Sequence, residues 1–239
     1  TGYIGGNKVV DVFKLHSVIV HKLESCDLKE GQAVECEVDR KRRKILKKYH
    51  DAIHIINGAA RKILGPHVHQ HGSEETEEKA RIDITHFESL SEEEEERIED
   101  LANSIVRKGL DIRKFWMDRG DAEKKYGFGI YVAGYIPSRK LRIVEIEGFD
   151  VEACGGLHGN NTREIGVIKI LRTKRIADGL VRIEIKVGEG AISYMREKER
   201  ILKKVARKLG VEEEEVPRAV ERLFEEWKKK RKELKKARG

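Results

Sequence analysis

An α+β fold, with helices laid on an antiparallel sheet, is what this sequence predicts, and three features carry the prediction. Strand-type and helix-type segments mix without the regular strand–helix alternation that builds a doubly wound parallel sheet. One long helical stretch, Arg40 to Leu64, is bounded by Asp39 as a cap and by Gly65-Pro66 as a stop. Further on, Ile82, Ile84 and His86 alternate with Arg81, Asp83 and Thr85, the period of two expected of a half-buried strand.

Residues 8–38 read as strands, because Val9, Val10, Val12, Val18, Ile19 and Val20 supply β-branched side chains and Lys29-Glu30-Gly31 makes a turn before Ala33–Val38. After the long helix, Val68–Gln70 and Ala80–Phe87 read as short strands. Ser91 and Glu94 form a capping box for a helix that ends near Gly109. A short helix is expected around Asp121–Tyr126, and strands near Ile130–Ala133 and Leu141–Glu147. A last strand pair, Ile165–Leu171 and Leu180–Val187, is joined by Thr173–Gly179. From Ser193 the pattern is helical, with a break at Gly210 and a second helix from about Val216. Leu202, Val205, Leu209, Val216, Val220, Leu223 and Trp227 form an apolar stripe expected to pack within the chain.

Charge is unevenly spread. Met195 to Gly239 holds 17 Lys+Arg against 10 Asp+Glu, a net of +7, so the other 194 residues, with 33 of each sign, are neutral. A basic helix of this kind suits either phosphate contacts or a solvated face. No apolar run approaches the roughly 18 residues of a membrane span. The three cysteines, Cys26, Cys36 and Cys154, are too few for a disulfide framework, which makes a cytoplasmic location the default.

The chemistry centres on two short motifs. His50-x-x-x-His54 sits inside the long helix, where residues four apart share a face. About a hundred residues later comes Cys154-Gly155-Gly156-Leu157-His158. Three imidazoles and a thiolate make a borderline-soft tetrahedral set that suits Zn²⁺. The plainer alternative is a core histidine pair with a buried cysteine. Backbone N–H groups at Gly155 and Gly156 are candidate oxyanion or phosphate contacts, or simply a tight turn. His67, His69 and His71 read as exposed strand positions facing away from Val68 and Gln70, and Arg81 is placed to pair with Asp83.

At these residues the chain resembles the archaeal-type editing domain of alanyl-tRNA synthetases and the related trans-editing alanyl-tRNA deacylases. The family's four motifs occur in order as His50–His54, Val68-His-Gln-His-Gly-Ser73, Arg81-Ile-Asp-Ile-Thr-His86 and Cys154–His158. The editing domain of threonyl-tRNA synthetases shares the two metal-type motifs; the Gln-x-Gly-Ser and Arg-x-Asp elements favour the alanyl branch. The resemblance spans roughly residues 8–195. It implies a two-layer editing domain at 41–192, preceded by a partial β-barrel at 1–40 and followed by a helical tail at 193–239. Thr1-Gly-Tyr-Ile is similar to the residues that come after a glycine-rich segment in the family, so the chain reads as a piece of a longer one.

The resemblance further implies an aminoacyl-tRNA deacylase, an ester hydrolase acting on tRNA(Ala) mischarged with Ser or Gly at a zinc site. The parent chain would be an alanine–tRNA ligase whose ATP-binding aminoacylation machinery lies elsewhere. A free-standing deacylase and a non-catalytic zinc-stabilised tRNA-binding module are the alternatives. His50, His54, Cys154 and His158 would be the ligands, and Gln70 would line the pocket. Where the family has H-T-A-T-H and C-G-G-T-H, this chain has Asp51, Ile53 and Leu157; these three and Asp83 are the candidate substrate contacts. No membrane contact is expected, and the chain is expected to be a monomer or weak dimer.

Overall fold

The helix that carries the first motif is also the spine of the fold. Asp39 accepts the Arg42 N–H at 2.9 Å and opens α1 (Arg40–Leu64), which Gly65 closes with its N–H on the Arg61 carbonyl. The first turns of α1 are basic and mostly exposed, whereas Tyr49 and the run from Asp51 to Ala60 are buried. A helix so buried on all sides must be packed by several elements at once.

In the computed structural model, which describes residues 1–16, 18–132 and 138–237, the chain divides into two units, Thr1–Gly190 and Ala191–Gly239. Among the described residues, three antiparallel sheets make up the strand content of the first. Strands β1 (Gly2–Ile4), β2 (Asn7–Leu15), β3 (Val18–Leu23) and β4 (Cys36–Val38) form an open sheet in the order β3-β2-β1-β4. The central sheet contains β5 (Gln70–Glu75), β6 (Ala80–Thr85), β10 (Ile168–Ala177) and β11 (Leu180–Val187), ordered β10-β11-β6-β5. A third sheet, β7-β8-β9, is built from β7 (Ile112–Asp118), β8 (Lys140–Ile146) and β9 (Asp150–Ala153). The helices are α1, α2 (Glu92–Lys108) and the short α3 (Arg119–Tyr126). The α+β prediction therefore holds, with every strand pairing antiparallel apart from an isolated bridge, Tyr131 to Ala153.

The main core lies between α1, α2 and the inner face of the central sheet, where Ile53, Ile55, Ile56, Ile82, Ile84 and Ile98 are almost wholly buried. The expected capping box of α2 is present, with Ser91 Oγ and the Glu94 carboxylate exchanging bonds with each other's backbone. A smaller cluster under the third sheet gathers Ala122, Ile130, Leu141, Ile143 and Ala153.

Four local expectations need correction. The strand foreseen at Val68–Gln70 begins only at Gln70 and runs to Glu75, a polar stretch held by its register against β6 rather than by its own propensity. Phe128–Ile130 is a turn of 3-10 helix, not a strand, and Ala133 lies outside the described residues. The first strand of the last pair starts at Ile168 and extends through Ala177, so Thr173–Ala177 is strand and not connection; the pairing with β11 continues to the turn at Gly179. In the second unit, α4 (Gly188–Leu209) and α5 (Val216–Ala237) flank the predicted break at Gly210. The apolar stripe there is largely exposed, not packed: Leu202, Val205, Val220, Leu223 and Trp227 all face solvent, while Ala206, Val216 and Ala219 are buried and Leu209 and Val211 half-buried near the bend.

Candidate metal centre

Two elements bring the predicted ligands together. His50 and His54 project from one face of α1, while Cys154 comes directly after β9 and leads into the loop that carries His158. Pairing of β8 with β9 sets the start of that loop: Cys154 N–H donates to the Arg142 carbonyl at 3.0 Å. The Arg142 guanidinium then returns to hold the Cys154 and Gly156 carbonyls, each at 2.8 Å. Gly156 could carry no side chain here, because a Cβ would stand 2.4 Å from His50 Nε2. Gly155 has open space around it.

The result is a tight cluster. The four ligand atoms lie within 4.8 Å of one another, with His50 Nε2 at 3.1 Å and His158 Nε2 at 3.4 Å from Cys154 Sγ. The three imidazole rings pack edge to face or tilted, at centroid separations of 4.6–5.2 Å. Each imidazole turns its Nδ1 outward to a carboxylate: His50 to Glu75 at 3.2 Å, His54 to Glu152 at 3.0 Å, His158 to Asp51 at 2.7 Å. A carboxylate on Nδ1 fixes the tautomer that leaves Nε2 free to bind a metal. The His54–Glu152 contact is close enough for an ion pair but is not aligned as a hydrogen bond, and Asn57 holds the other Glu152 oxygen at 2.6 Å.

These groups are strongly coupled. Burial opposes ionisation of the Cys154 thiol, yet hydrogen bonds from His158, His50 and His54 bring it down to about 3. Burial likewise opposes charge on His50, while its bonds to Cys154 and Glu75 raise it to about 10. The Gly156 N–H also points to the sulfur, at 3.3 Å. Thiolate plus converging imidazole nitrogens is a donor set for a borderline-soft cation, and the nitrogen–sulfur separations are close to the edge of a tetrahedron built on bonds of about 2.0–2.3 Å. The residues thus fit Zn²⁺.

Behind the ligands lies a second buried group that sequence reading missed. Burial and the neighbouring Glu152 raise Asp150 to about 7, and Glu152 is itself raised by burial. Arg61 reaches Asp150 at 3.2 Å. The available signal was the pair of acids two and four residues ahead of Cys154, which a strand ending in the motif must place beside its first ligand.

The other predicted residues scatter. Asp51 is buried, with Oδ1 on His158 and Oδ2 accepting the Gly159 N–H at 2.8 Å, so it supports a ligand and does not face open space. Ile53 is a core residue, 1% exposed. Asp83 lies on the central sheet between Arg81, at 2.7 Å, and Arg182, whose Nε and Nη2 each donate to one of its oxygens. Gln70 has a buried Oε1 without a hydrogen-bond partner among the described residues. His67 pairs with His86 at 2.8 Å, and His69 and His71 are exposed. Leu157, 45% exposed, does border a cavity at the cluster: a space of about 180 Å³ lined by Leu46, Lys47, His50, Glu75 and Leu157.

Residues 141–184 match the family described as the threonyl and alanyl tRNA synthetase second additional domain. Across nearly its whole length the chain is similar to alanine–tRNA ligases. It is 46% identical over 237 residues to that of Methanocella arvoryzae, covering 98% of this chain and 27% of the relative. With the Methanopyrus kandleri protein it is 45% identical over 230 residues, 96% of this chain and 25% of the relative. With that of Thermococcus kodakarensis it is 46% identical over 232 residues, 97% and 25%. The chain spans about a quarter of the length of these curated relatives. Among the described residues no helix is long and apolar enough to cross a membrane. On sequence, the chain is similar to a segment of archaeal alanine–tRNA ligases, and part of it matches the threonyl and alanyl tRNA synthetase second additional domain.

Proposed function

We propose that this segment is an editing module: a zinc-dependent deacylase that hydrolyses the ester joining serine, and secondarily glycine, to tRNA(Ala). The observation that carries the reading is the convergence of three imidazoles, each with a carboxylate on its outer nitrogen, upon one thiolate, with one of the imidazoles, His50, on the wall of a small cavity. Zinc, when bound, supplies Lewis-acid stabilisation to a substrate oxygen or holds its amino group.

The chain's own residues do the rest. His54 and His158 are closed off by Glu152 and Asp51, so an aminoacyl ester approaches from the side of His50. Leu46 and Leu157 give that cavity apolar walls, which strengthen any polar contact made inside it. Glu75 is the acidic side chain on the wall. Its Oε1 serves His50 and Ser73, and its Oε2 has no partner among the described residues. That free oxygen is placed to accept the serine hydroxyl, a bond the methyl of alanine cannot make. Asp51 and Ile53 are both removed from this role by burial.

A non-catalytic, zinc-stabilised tRNA-binding module is the second reading, and one observation favours it: four protein ligands close a tetrahedral site, as in structural zinc sites. Hydrolysis of Ser-tRNA(Ala) and Ala-tRNA(Ala) decides between them, run beside Cys154→Ala and chelator-treated protein. Selective loss of the seryl ester, abolished by both treatments, is the expected result. Intact, zinc-loaded protein that binds tRNA and cleaves neither ester supports the module without catalysis.

A further inference from the structure

Arg142, half-buried on β8, spends its charge on backbone. Its Nη1 donates to the carbonyls of Cys154 and Gly156, each at 2.8 Å, and among the described residues it makes no ion pair with a carboxylate. A guanidinium ordinarily goes to a carboxylate or phosphate, where its bonds are strongest. Two carbonyls of residues i and i+2 can meet one nitrogen only if the chain curls between them. The main chain of the same residue fixes where the curl starts, since the Arg142 carbonyl accepts the Cys154 N–H at 3.0 Å.

The curl has consequences at the sulfur. It turns the Gly156 N–H back onto Cys154 Sγ at 3.3 Å and brings the Gly156 Cα against the His50 ring, where a Cβ would not fit. The Gly155 N–H, by contrast, has no acceptor among the described residues, and Gly155 is exposed. Cys154 to Gly159 belongs to no helix or strand, so these bonds stand in for regular structure in aiming the ligands. A second cation on the same face of the third sheet fastens the far end: Lys114 Nζ donates to the Gly159 carbonyl at 2.5 Å and to Asn160 Oδ1 at 2.7 Å. Lys114 thus grips the loop beyond His158, away from the sulfur.

We propose that Arg142 is a positioning residue of the centre: by clamping the Cys154 and Gly156 carbonyls it aims the sulfur at the three imidazoles and keeps the Gly156 N–H on it. A thiolate that accepts a hydrogen bond gives less charge to a bound cation, which leaves that cation a stronger Lewis acid. The inference rests on the reading of these residues as a metal site and does not require hydrolysis.

The test is titration with Co²⁺, which accepts the same donors as Zn²⁺ and carries the visible and charge-transfer bands that Zn²⁺ lacks. Arg142→Gln should bind Co²⁺ about 10–100-fold more weakly. Its sulfur-to-cobalt band should move to longer wavelength, because a sulfur without a hydrogen bond gives up an electron more readily. Arg142→Lys should recover most of both, since the two bonds leave one nitrogen and do not need the guanidinium fork. Lys114→Gln loosens the loop elsewhere, so it should weaken binding and leave the band in place.

The clamp is overturned if R142Q keeps the native affinity and band, if R142K is no better than R142Q, or if K114Q moves the band as far as R142Q does. Should R142Q fail a melting control, the native chain loaded with ¹¹³Cd²⁺ serves. Scalar coupling between the Gly156 amide and cadmium through the sulfur is expected, and its absence overturns the clamp. A native chain that binds Co²⁺ with these properties and cleaves no ester sinks the deacylase alone. One that binds no Co²⁺ sinks the centre and the clamp together.

Discussion

The two sides of the candidate metal centre are built differently. On the inner side, the side chains of His54 and His158 are no more than 4% exposed, and they rest on Glu152 and Asp51, each below 2%. On the outer side His50 and Glu75 are each about a fifth exposed and border the cavity. The same histidine–carboxylate pairing thus does two jobs. Where both partners are dry, it fixes ligand geometry and is joined to the stability of the fold. Where they are wet, it can be disturbed without unfolding the chain, and it stands where a substrate would arrive.

The largest expected effect comes from breaking the inner side. Asp51→Ala leaves two buried donors, His158 Nδ1–H and Gly159 N–H, without acceptors, at about 1–3 kcal/mol each. For a chain of this size that lowers Tm by roughly 5–20 °C, and zinc affinity should fall about 10–100-fold. Thermal melts and competition with a chelating dye measure both. An unchanged Tm would show that the inner pairs are no more structural than the outer one.

Glu75→Ala sharpens the contrast from the other direction. Zinc affinity should fall by about tenfold, with Tm nearly unmoved, since surface-accessible pairs contribute about 0–1 kcal/mol. If Glu75 reads the serine hydroxyl, the variant should also lose its preference for seryl over glycyl ester. A melt as damaged as that of Asp51→Ala would erase the distinction between the two sides.

The same divide separates the parts of the site that are legible in the sequence from those that are not. The four candidate ligands can be read as a cluster because their spacing is local: one pair lies four apart on a helix, the other on a glycine turn. Their supports cannot, because Glu75 and Glu152 reach the site through strand registers. Gln70–Glu75 has no strand propensity worth reading and is held in place by β6, and the register of β9 against β8 brings Glu152 under His54. Asp51 stands next to His50, a position that suggests a pocket residue; only the return of the Cys154–His158 loop onto α1 assigns it to His158. In the tail, the periodicity locates α5 and the break at Gly210, while α4 begins at Gly188, ahead of the expected Ser193, and periodicity alone does not say what covers an apolar stripe.

A further effect should appear in the pH dependence of the metal-free protein. Cys154 is lowered from 9.0 to about 3, so its stabilisation is complete above 9.0 and is lost as pH falls toward 3. His50 is raised from 6.5 to about 10, so its share is complete below 6.5 and lost as pH rises through 10. Between 6.5 and 9.0 folded and unfolded forms hold the same number of protons on this pair, and stability is flat. The difference in stability between native chain and Cys154→Ala, tracked by denaturant titration after chelation, should therefore rise to a plateau between 6.5 and 9.0 and decline on both sides. A difference independent of pH would mean that thiolate and imidazolium are not paired on the outer side.

The smallest effect concerns the acid behind the dry side. Asp150 is raised from 3.8 to about 7 by burial and by Glu152, so its ionisation works against folding. This group therefore removes stability progressively as pH climbs from 3.8 to 7, and by a constant amount above that. Asn keeps the shape of the neutral acid and cannot ionise. Asp150→Asn should accordingly be slightly less stable than the native chain near the lower end of that range, where only the partial contact with Arg61 is lost. The deficit should shrink, and can reverse, as pH approaches 7. Melting the two proteins side by side over that range measures the crossing. A deficit that widens with pH would mean that Asp150 is held ionised by Arg61, and that the dry side of the centre is a true ion pair and not a buried acid kept neutral by its neighbours.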